Sequence, residues 1–206
     1  MGIVELLLKL ALVGGTWILY LLILLSIIAV GVMLERWWFF RNIEKEAQSQ
    51  ELVKFERLLI DGNINDSVEK LKNFESPVFK SLYLGLMNIN RGSVVVEQIA
   101  ESSYIAERDD LEKGLTFLGT LGNNAPFIGL LGTVLGIIKA FADLAQSQSS
   151  GPQVVMVGIS EALVATAVGL LLAIPCVIFF NFYMKKLKKL DNIFNRYIKL
   201  IKSAME

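Results

Sequence analysis

The stretch FIGLLGTVLGIIKAF, Phe127–Phe141, is too apolar for a soluble surface and too rich in glycine for an ordinary helix in lipid. Glycines, a threonine and a lysine interrupt its apolar run. A glycine inside a helix costs up to about 1 kcal/mol relative to alanine, and a charge in lipid costs more. These interruptions therefore indicate close helix contacts or a polar function inside a membrane.

The composition of the whole chain agrees with a membrane protein. Hydrophobic residues make up 54% of the 206 residues, and the mean hydropathy is +0.55. The chain has no histidine, its only cysteine is Cys176, and its net charge is zero. These features argue against a His/Cys zinc site, a Ser–His–Asp triad, an internal disulfide and a nucleic-acid partner. We therefore expect neither an enzyme nor a bound cofactor.

Three apolar spans predict an all-α integral membrane protein. The first span is uncharged for about 20 residues, which is enough to cross a bilayer core and too long for a signal peptide. The second and third are about 31 residues each, so we expect long cytoplasmic helical extensions. The predicted segments are an interfacial helix over 1–14, transmembrane helices over 15–35, 115–145 and 154–184, a cytoplasmic helical domain over 36–114, a periplasmic turn over 146–153 and a cytoplasmic C-terminal helix over 185–206.

The distribution of lysine and arginine predicts the orientation. Residues 36–116 carry eleven of these 20 residues, seven follow Met184, and the turn over 146–153 has none. Because lysine and arginine near span ends favour the cytoplasmic side, the N-terminus is expected to be periplasmic.

Smaller signals predict helix ends. Asp66 and Ser67 are candidate N-caps after the turn at IDGNINDS, and Pro77 is expected to break the chain between helices. Pro152 is expected to act as a helix stop in the outer turn.

Small residues form one stripe along each of the last two spans. Their spacing of three and four residues places each set on one helix face, which allows close packing in lipid. Plain helix packing is the alternative to a functional surface for most of the glycines. The first span has no such stripe and is expected to face lipid. The stripes consist of Gly122, Pro126, Gly129, Thr133, Gly136 and Ala140 in the second span and of Gly158, Ala162, Thr166, Gly169 and Ala173 in the third.

Counting from the outer turn predicts which polar residues share a depth in the membrane. Thr133 lies twelve residues before Ala145, and Thr166 lies twelve residues after Val154. Both are therefore about 18 Å below the turn. The threonines either line a polar path or bond to carbonyls of their own helices.

A charged pair is expected nearer the outer surface. Lys139 and Glu161 lie about 9–10 Å below the turn. For Glu161 we favour a functional role over a structural pair with Lys139 or with a backbone donor. For Lys139 we favour a structural role, with the ammonium reaching the surface near Asp143.

The two quoted spans resemble a known family. APFIGLLGTVLGIIKAF (Ala125–Phe141) and GISEALVATAVGLLLAIP (Gly158–Pro175) are similar in sequence and separation to the ExbB/TolQ/MotA family of proton-channel motor subunits. The order of one span, a large loop, two spans and a tail resembles the three-span ExbB/TolQ branch. MotA-type subunits have four spans, so the chain departs from that branch.

The resemblance implies an assembly in the bacterial inner membrane. It implies a homopentamer whose second and third spans surround a dimer of a single-span ExbD/TolR-like partner with a transmembrane aspartate. A TonB-like or other periplasm-spanning protein and membrane lipid are further implied partners. The translocated ion would be a proton, with sodium as the alternative. The implied residues are Thr133, Thr166 and Glu161 in the ion pathway, Gly129, Gly136, Ala162 and Gly169 on a close-packing pore face, and Lys139 as a charge at the outer mouth.

The function implied by the resemblance is use of the proton motive force for work at the outer membrane or envelope. Energised uptake and a TolQ-like envelope role both fit. A non-conducting membrane scaffold and a gliding or motility stator subunit are the alternatives.

Overall fold

The computed structural model describes residues 13–47, 50–72, 74–146 and 152–205. Six α-helices occur in these ranges, together with a short 3-10 turn at Ile89–Arg91. Most of the predicted interfacial helix and the centre of the predicted outer turn lie outside the described residues. The helices are α1 (Thr16–Ala47), α2 (Gln50–Ile60), α3 (Ile64–Leu71), α4 (Pro77–Leu86), α5 (Ser93–Gln146) and α6 (Pro152–Met205).

The predicted all-helical class and the three membrane-crossing helices are confirmed. Among the described residues, α1, α5 and α6 have the length and apolarity required to cross a membrane. Both α5 and α6 contain 54 residues, whereas about 20 suffice to cross the hydrocarbon core.

Two local predictions were wrong. Pro152 is the first residue of α6 rather than a stop, a position that suits proline because its missing N–H has no intrahelical partner there. The N-cap of α3 is Asn63, so Asp66 and Ser67 lie inside the helix. The Ser67 hydroxyl donates to the Ile64 carbonyl at 2.6 Å, the local bond that serine makes when it does not cap.

The described chain divides into two compact units, and the first contains the apolar parts of α1, α5 and α6. It comprises residues up to Met33 together with Thr116–Asn181. One side of α1 packs into this unit, while Tyr20, Ile27 and other large side chains on its remaining surface are exposed. Exposed apolar side chains suit contact with lipid. The buried core consists of Ile18, Leu22, Ala29, Met33, Leu118, Leu121, Ala125, Leu172, Ala173 and Cys176.

The second unit comprises Leu34–Leu115 and the chain from Phe182 onward. Aromatic pairs contribute to its packing: Tyr104 stacks on Phe194 with ring centroids 4.3 Å apart, and Phe40 stacks on Tyr183 at 5.1 Å. Such pairs add roughly 0.5–1.5 kcal/mol beyond their buried area.

Candidate functional site

The small residues of α5 and α6 form a seam between these two helices of one chain. A methyl group on Gly129 would lie 2.7 Å from the Ala165 carbonyl oxygen, and one on Gly169 would lie 2.6 Å from the Ala125 carbonyl oxygen. These backbone atoms leave no room for a side chain, since real Cβ contacts are longer than 3.0 Å. We call this contact the α5–α6 seam; it also contains Gly122, Gly136, Gly158 and Ala162.

The four small residues predicted to form a close-packing pore face lie in the α5–α6 seam. Gly129, Gly136, Ala162 and Gly169 all contact the other helix of their own chain. The contacts observed are therefore those of plain helix packing, the alternative kept open for the glycines. Their role at a pore stays a prediction, and a partner helix would have to contact side chains that flank the seam.

The two threonines predicted to share one depth meet at the edge of the seam. The Thr166 Oγ1 donates to the Thr133 Oγ1 at 3.4 Å, and the Thr133 hydroxyl donates to the Leu130 carbonyl at 2.6 Å. Thr133 is 6% exposed, and Thr166 is partly exposed. The bond to a carbonyl of the own helix is thus observed for Thr133, which also accepts from Thr166 on the other helix, while the lining of a polar path stays a prediction. The result is a neutral polar contact surrounded by apolar helix surface.

A cavity of about 630 Å³ lies in the same unit, lined by residues of α1, α5 and α6 and by Gly15. Lys139 and Asp143 on α5 and Glu161 on α6 contribute charges to its walls, while most of its lining is apolar or glycine. We call it the outer cavity after the predicted outer turn, because its residues lie toward the C-terminal end of α5 and the N-terminal end of α6. The apolar and small lining residues include Gly15, Leu19, Gly132, Val157 and Val164.

Glu161 and Lys139 share the outer cavity without forming an ion pair. Among the described residues, neither side chain has a hydrogen bond or an oppositely charged atom within 4.0 Å. The structural pair considered as the alternative for Glu161 is therefore not formed. An intramembrane ionisable group normally faces a cavity, a partner charge or water, and here both charges face the cavity.

The Lys139 side chain covers Gly14, which explains the glycine there. Gly14 is buried with a φ of 81°, a left-handed conformation that favours glycine. A methyl group on Gly14 would lie 2.6 Å from the Lys139 Cδ and 3.4 Å from its Nζ. The aliphatic part of Lys139 therefore packs over the chain just before α1.

The predicted ion-pathway residues fall in two separate places. Thr133 and Thr166 meet at the seam edge and do not line the outer cavity, whereas Glu161 does. Five residues separate Glu161 from Thr166, which corresponds to about 140° around a helix. Glu161 therefore points to a different side of α6 from Thr166.

The second unit contains a polar network that the sequence did not predict. Asp191 accepts from the Tyr104 hydroxyl at 2.9 Å and from the Arg108 Nε at 3.0 Å. Burial, followed by the hydrogen bond and charge of Asp191, raises the pKa of Tyr104 well above its usual value. Burial and the negative charge of Glu56 raise the pKa of Tyr197 to about 12. The partners are more than 80 residues apart in sequence, so no local motif could indicate them.

No cluster of three or more metal-ligating side chains occurs within the described ranges. The first unit holds two polar features between its helices, the threonine contact and the charged outer cavity. Together with the three spans, they define an integral membrane protein with polar groups held between its transmembrane helices.

Comparison with known proteins identifies the family. Residues 70–196 match the family described as the MotA/TolQ/ExbB proton channel family. The biopolymer transport protein ExbB of Salmonella typhimurium is 30% identical over 179 residues, covering 80% of this chain and 72% of that protein. The chain belongs to the MotA/TolQ/ExbB proton channel family.

Relatives on the TolQ side are similarly close. The Tol-Pal system protein TolQ of Haemophilus influenzae is 29% identical and covers 88% of this chain and 84% of its own length. TolQ of Pseudomonas aeruginosa is 46% identical over a shorter region, 42% of this chain and 39% of its own length. The resemblance seen in the two span motifs is therefore confirmed at the level of the family.

Proposed function

We propose that the chain is an ion-conducting motor subunit of the inner membrane that uses the proton motive force to power work at the outer membrane or envelope. The observation that carries the proposal is the Thr133–Thr166 hydroxyl contact within the membrane unit. It supplies a neutral polar group, with acceptor capacity on the partly exposed Thr166 Oγ1, where a fixed charge would be costly. Membership in a proton channel family supports the proton as the transported ion.

The proposed assembly is a homopentamer around a dimer of a single-span ExbD/TolR-like protein. The transmembrane aspartate of that partner would load and release protons beside Thr133 and Thr166, with Glu161 at the outer end of the path. The exposed apolar side chains of α5 next to the seam, Phe127 and Leu130 among them, offer contact surface for neighbouring helices. The distribution of lysine and arginine supports a periplasmic N-terminus and a cytoplasmic second unit.

The process that the subunit powers depends on the partner protein with which it assembles. The relatives include a biopolymer transport protein and Tol-Pal system proteins, so energised uptake and a TolQ-like envelope function are the two roles that we propose.

Proton flux into liposomes tests this proposal. The chain is purified with its co-expressed partner, reconstituted with an internal pH dye and given an inward proton gradient. We expect flux with wild-type partner and none when the partner's transmembrane aspartate is replaced by asparagine. A pentamer that binds its partner but conducts no proton or sodium under a gradient would instead support the non-conducting scaffold.

A further inference from the structure

Three charged side chains line the outer cavity: Asp143 already has an interaction partner, whereas the described protein leaves the opposite charges of Lys139 and Glu161 without one. Lys139 and Glu161 line one cavity of about 630 Å³, and neither forms an ion pair with a described residue. Unpaired charges within a membrane unit are costly, and charged groups there normally find a partner or water. The cavity is therefore complementary to a ligand that carries both a positive and a negative group.

The walls of the cavity indicate what kind of ligand this is. Leu19, Val157 and Val164 give it apolar surface contributed by two different helices. A pocket with apolar walls and a few convergent polar groups suits an amphipathic molecule. Lys139 is seven residues before the end of α5 and Glu161 is nine after the start of α6, or about 10–14 Å along each helix. A lipid headgroup at the membrane surface can reach charges that close to the end of a membrane-crossing helix.

The chemistry of the charges selects among lipids. A lysine ammonium binds a phosphate through charge-assisted hydrogen bonds. A carboxylate binds a primary ammonium in the same way, but a choline group has no N–H to donate. A lipid with only a phosphate would leave Glu161 unmatched.

We propose that the outer cavity binds one phosphatidylethanolamine molecule, with its phosphate at Lys139, its ammonium at Glu161 and part of an acyl chain against Leu19 and Val157. The Lys139 side chain is positioned for this role by its packing over Gly14. The site does not rest on ion conduction. Only its assignment to the outer leaflet depends on the orientation proposed above.

Lipid retention tests the proposal without any ion gradient, so its outcome is distinct from that of the flux assay. The full-length chain with its partner is reconstituted in bilayer discs of equimolar phosphatidylethanolamine, phosphatidylcholine and phosphatidylglycerol. It is then extracted in mild detergent and washed, and the retained lipids are quantified by mass spectrometry. We expect about one phosphatidylethanolamine per chain, retained roughly fivefold or more over phosphatidylcholine.

Variants assign the retention to the cavity. In Lys139→Gln, the amount of retained phosphatidylethanolamine should fall roughly fivefold or more. Glu161→Gln should abolish the preference for phosphatidylethanolamine over phosphatidylcholine. Lys54→Gln, an exposed lysine of the second unit, is the matched control and should retain lipid like wild type. Leu19→Trp fills the cavity without changing a charge and should also lose the lipid, which covers the case that Lys139→Gln fails to assemble.

Three results would overturn the proposal. They are retention of the three lipids in equal amounts or not at all by wild type, preferential retention of phosphatidylglycerol, and equal loss of phosphatidylethanolamine in Lys54→Gln and Lys139→Gln.

Discussion

The seam and the outer cavity lie between the same two helices, α5 and α6, and solve the problem of polar groups in a membrane in opposite ways. At the seam edge the hydroxyls are neutral and bonded within the chain, because Thr166 donates to Thr133 and Thr133 donates to the Leu130 carbonyl. In the outer cavity, Lys139 and Glu161 are charged and unmatched among the described residues. The seam is therefore complete within one chain, whereas the cavity is where the proposed lipid would supply the missing partners.

A substitution in the seam is expected to have the largest effect on stability. If the protein tolerated it, the seam could not be essential to the packing of α5 on α6. Gly169→Leu would drive a side chain into the Ala125 carbonyl, which lies 2.6 Å from the position of a Cβ atom. We expect destabilisation of about 3 kcal/mol or more, measured as loss of folded, assembled protein in thermal melts in detergent.

Gly31→Leu is the matched control for that substitution. Gly31 is exposed on α1, and a Cβ atom there would meet nothing within 4 Å. This variant should assemble and melt like wild type, apart from the smaller effect of replacing a helical glycine. Equal tolerance of leucine at both positions would contradict the seam.

Glu161→Gln sharpens the assignment of function to the cavity. We expect partner-dependent proton flux to fall roughly threefold to fivefold, because a charge at the outer end of the path is lost. The fall should be smaller than at Thr166, because the carboxylate lies on a different side of α6. The same liposome flux assay measures it, with Ser160→Ala as the control, since among the described residues the Ser160 hydroxyl bonds only to the Met156 carbonyl of its own helix. Unchanged flux in Glu161→Gln would remove Glu161 from the ion path and leave it to the lipid cavity alone.

The smallest effect is expected in the second unit, where lost stability should not imitate lost conduction. Tyr104→Phe removes the hydrogen bond to Asp191 and should cost about 1 kcal/mol in unfolding free energy, with flux unchanged. Burial and Asp191 raise the folded pKa of Tyr104 above its usual 10.0, so its stabilisation is present below pH 10 and is lost as the pH rises through the folded value. Melts from pH 8 to 11 should therefore show a shallower loss of stability in Tyr104→Phe than in wild type. A large fall in flux in this variant at pH 7 would contradict this separation of stability from conduction.

The sequence allowed the seam and the threonine contact to be anticipated because both follow from helix geometry. Small residues three and four apart must share a face, and counting from the outer turn placed Thr133 and Thr166 at one depth. The structure brings their hydroxyls into contact. What periodicity could not supply was the direction of each face, so the glycines assigned to a pore are found against the chain's own neighbouring helix.

Features that depend on a third element were beyond the sequence. Gly132 lies off both stripes, yet its position would bring a methyl group within 2.7 Å of the Ala165 Cβ and 3.2 Å of the Ile18 side chain. The location of Glu161 on the cavity side depends in the same way on how α6 is rotated against its neighbours. The pair of glycines at Gly14 and Gly15 was the only local sign that the chain comes close to another helix at this point.

If ions pass by the threonine contact, removing one of its hydroxyls must lower proton flux, and the same change at another threonine of α5 must not. Thr166→Val keeps the size of the side chain and removes only the hydroxyl that meets Thr133; Thr120→Val makes the same change at an exposed site on α5. With the partner present and assembly intact, we predict that Thr166→Val lowers flux at least about tenfold while Thr120→Val stays near wild type. Wild-type flux in Thr166→Val would contradict the account.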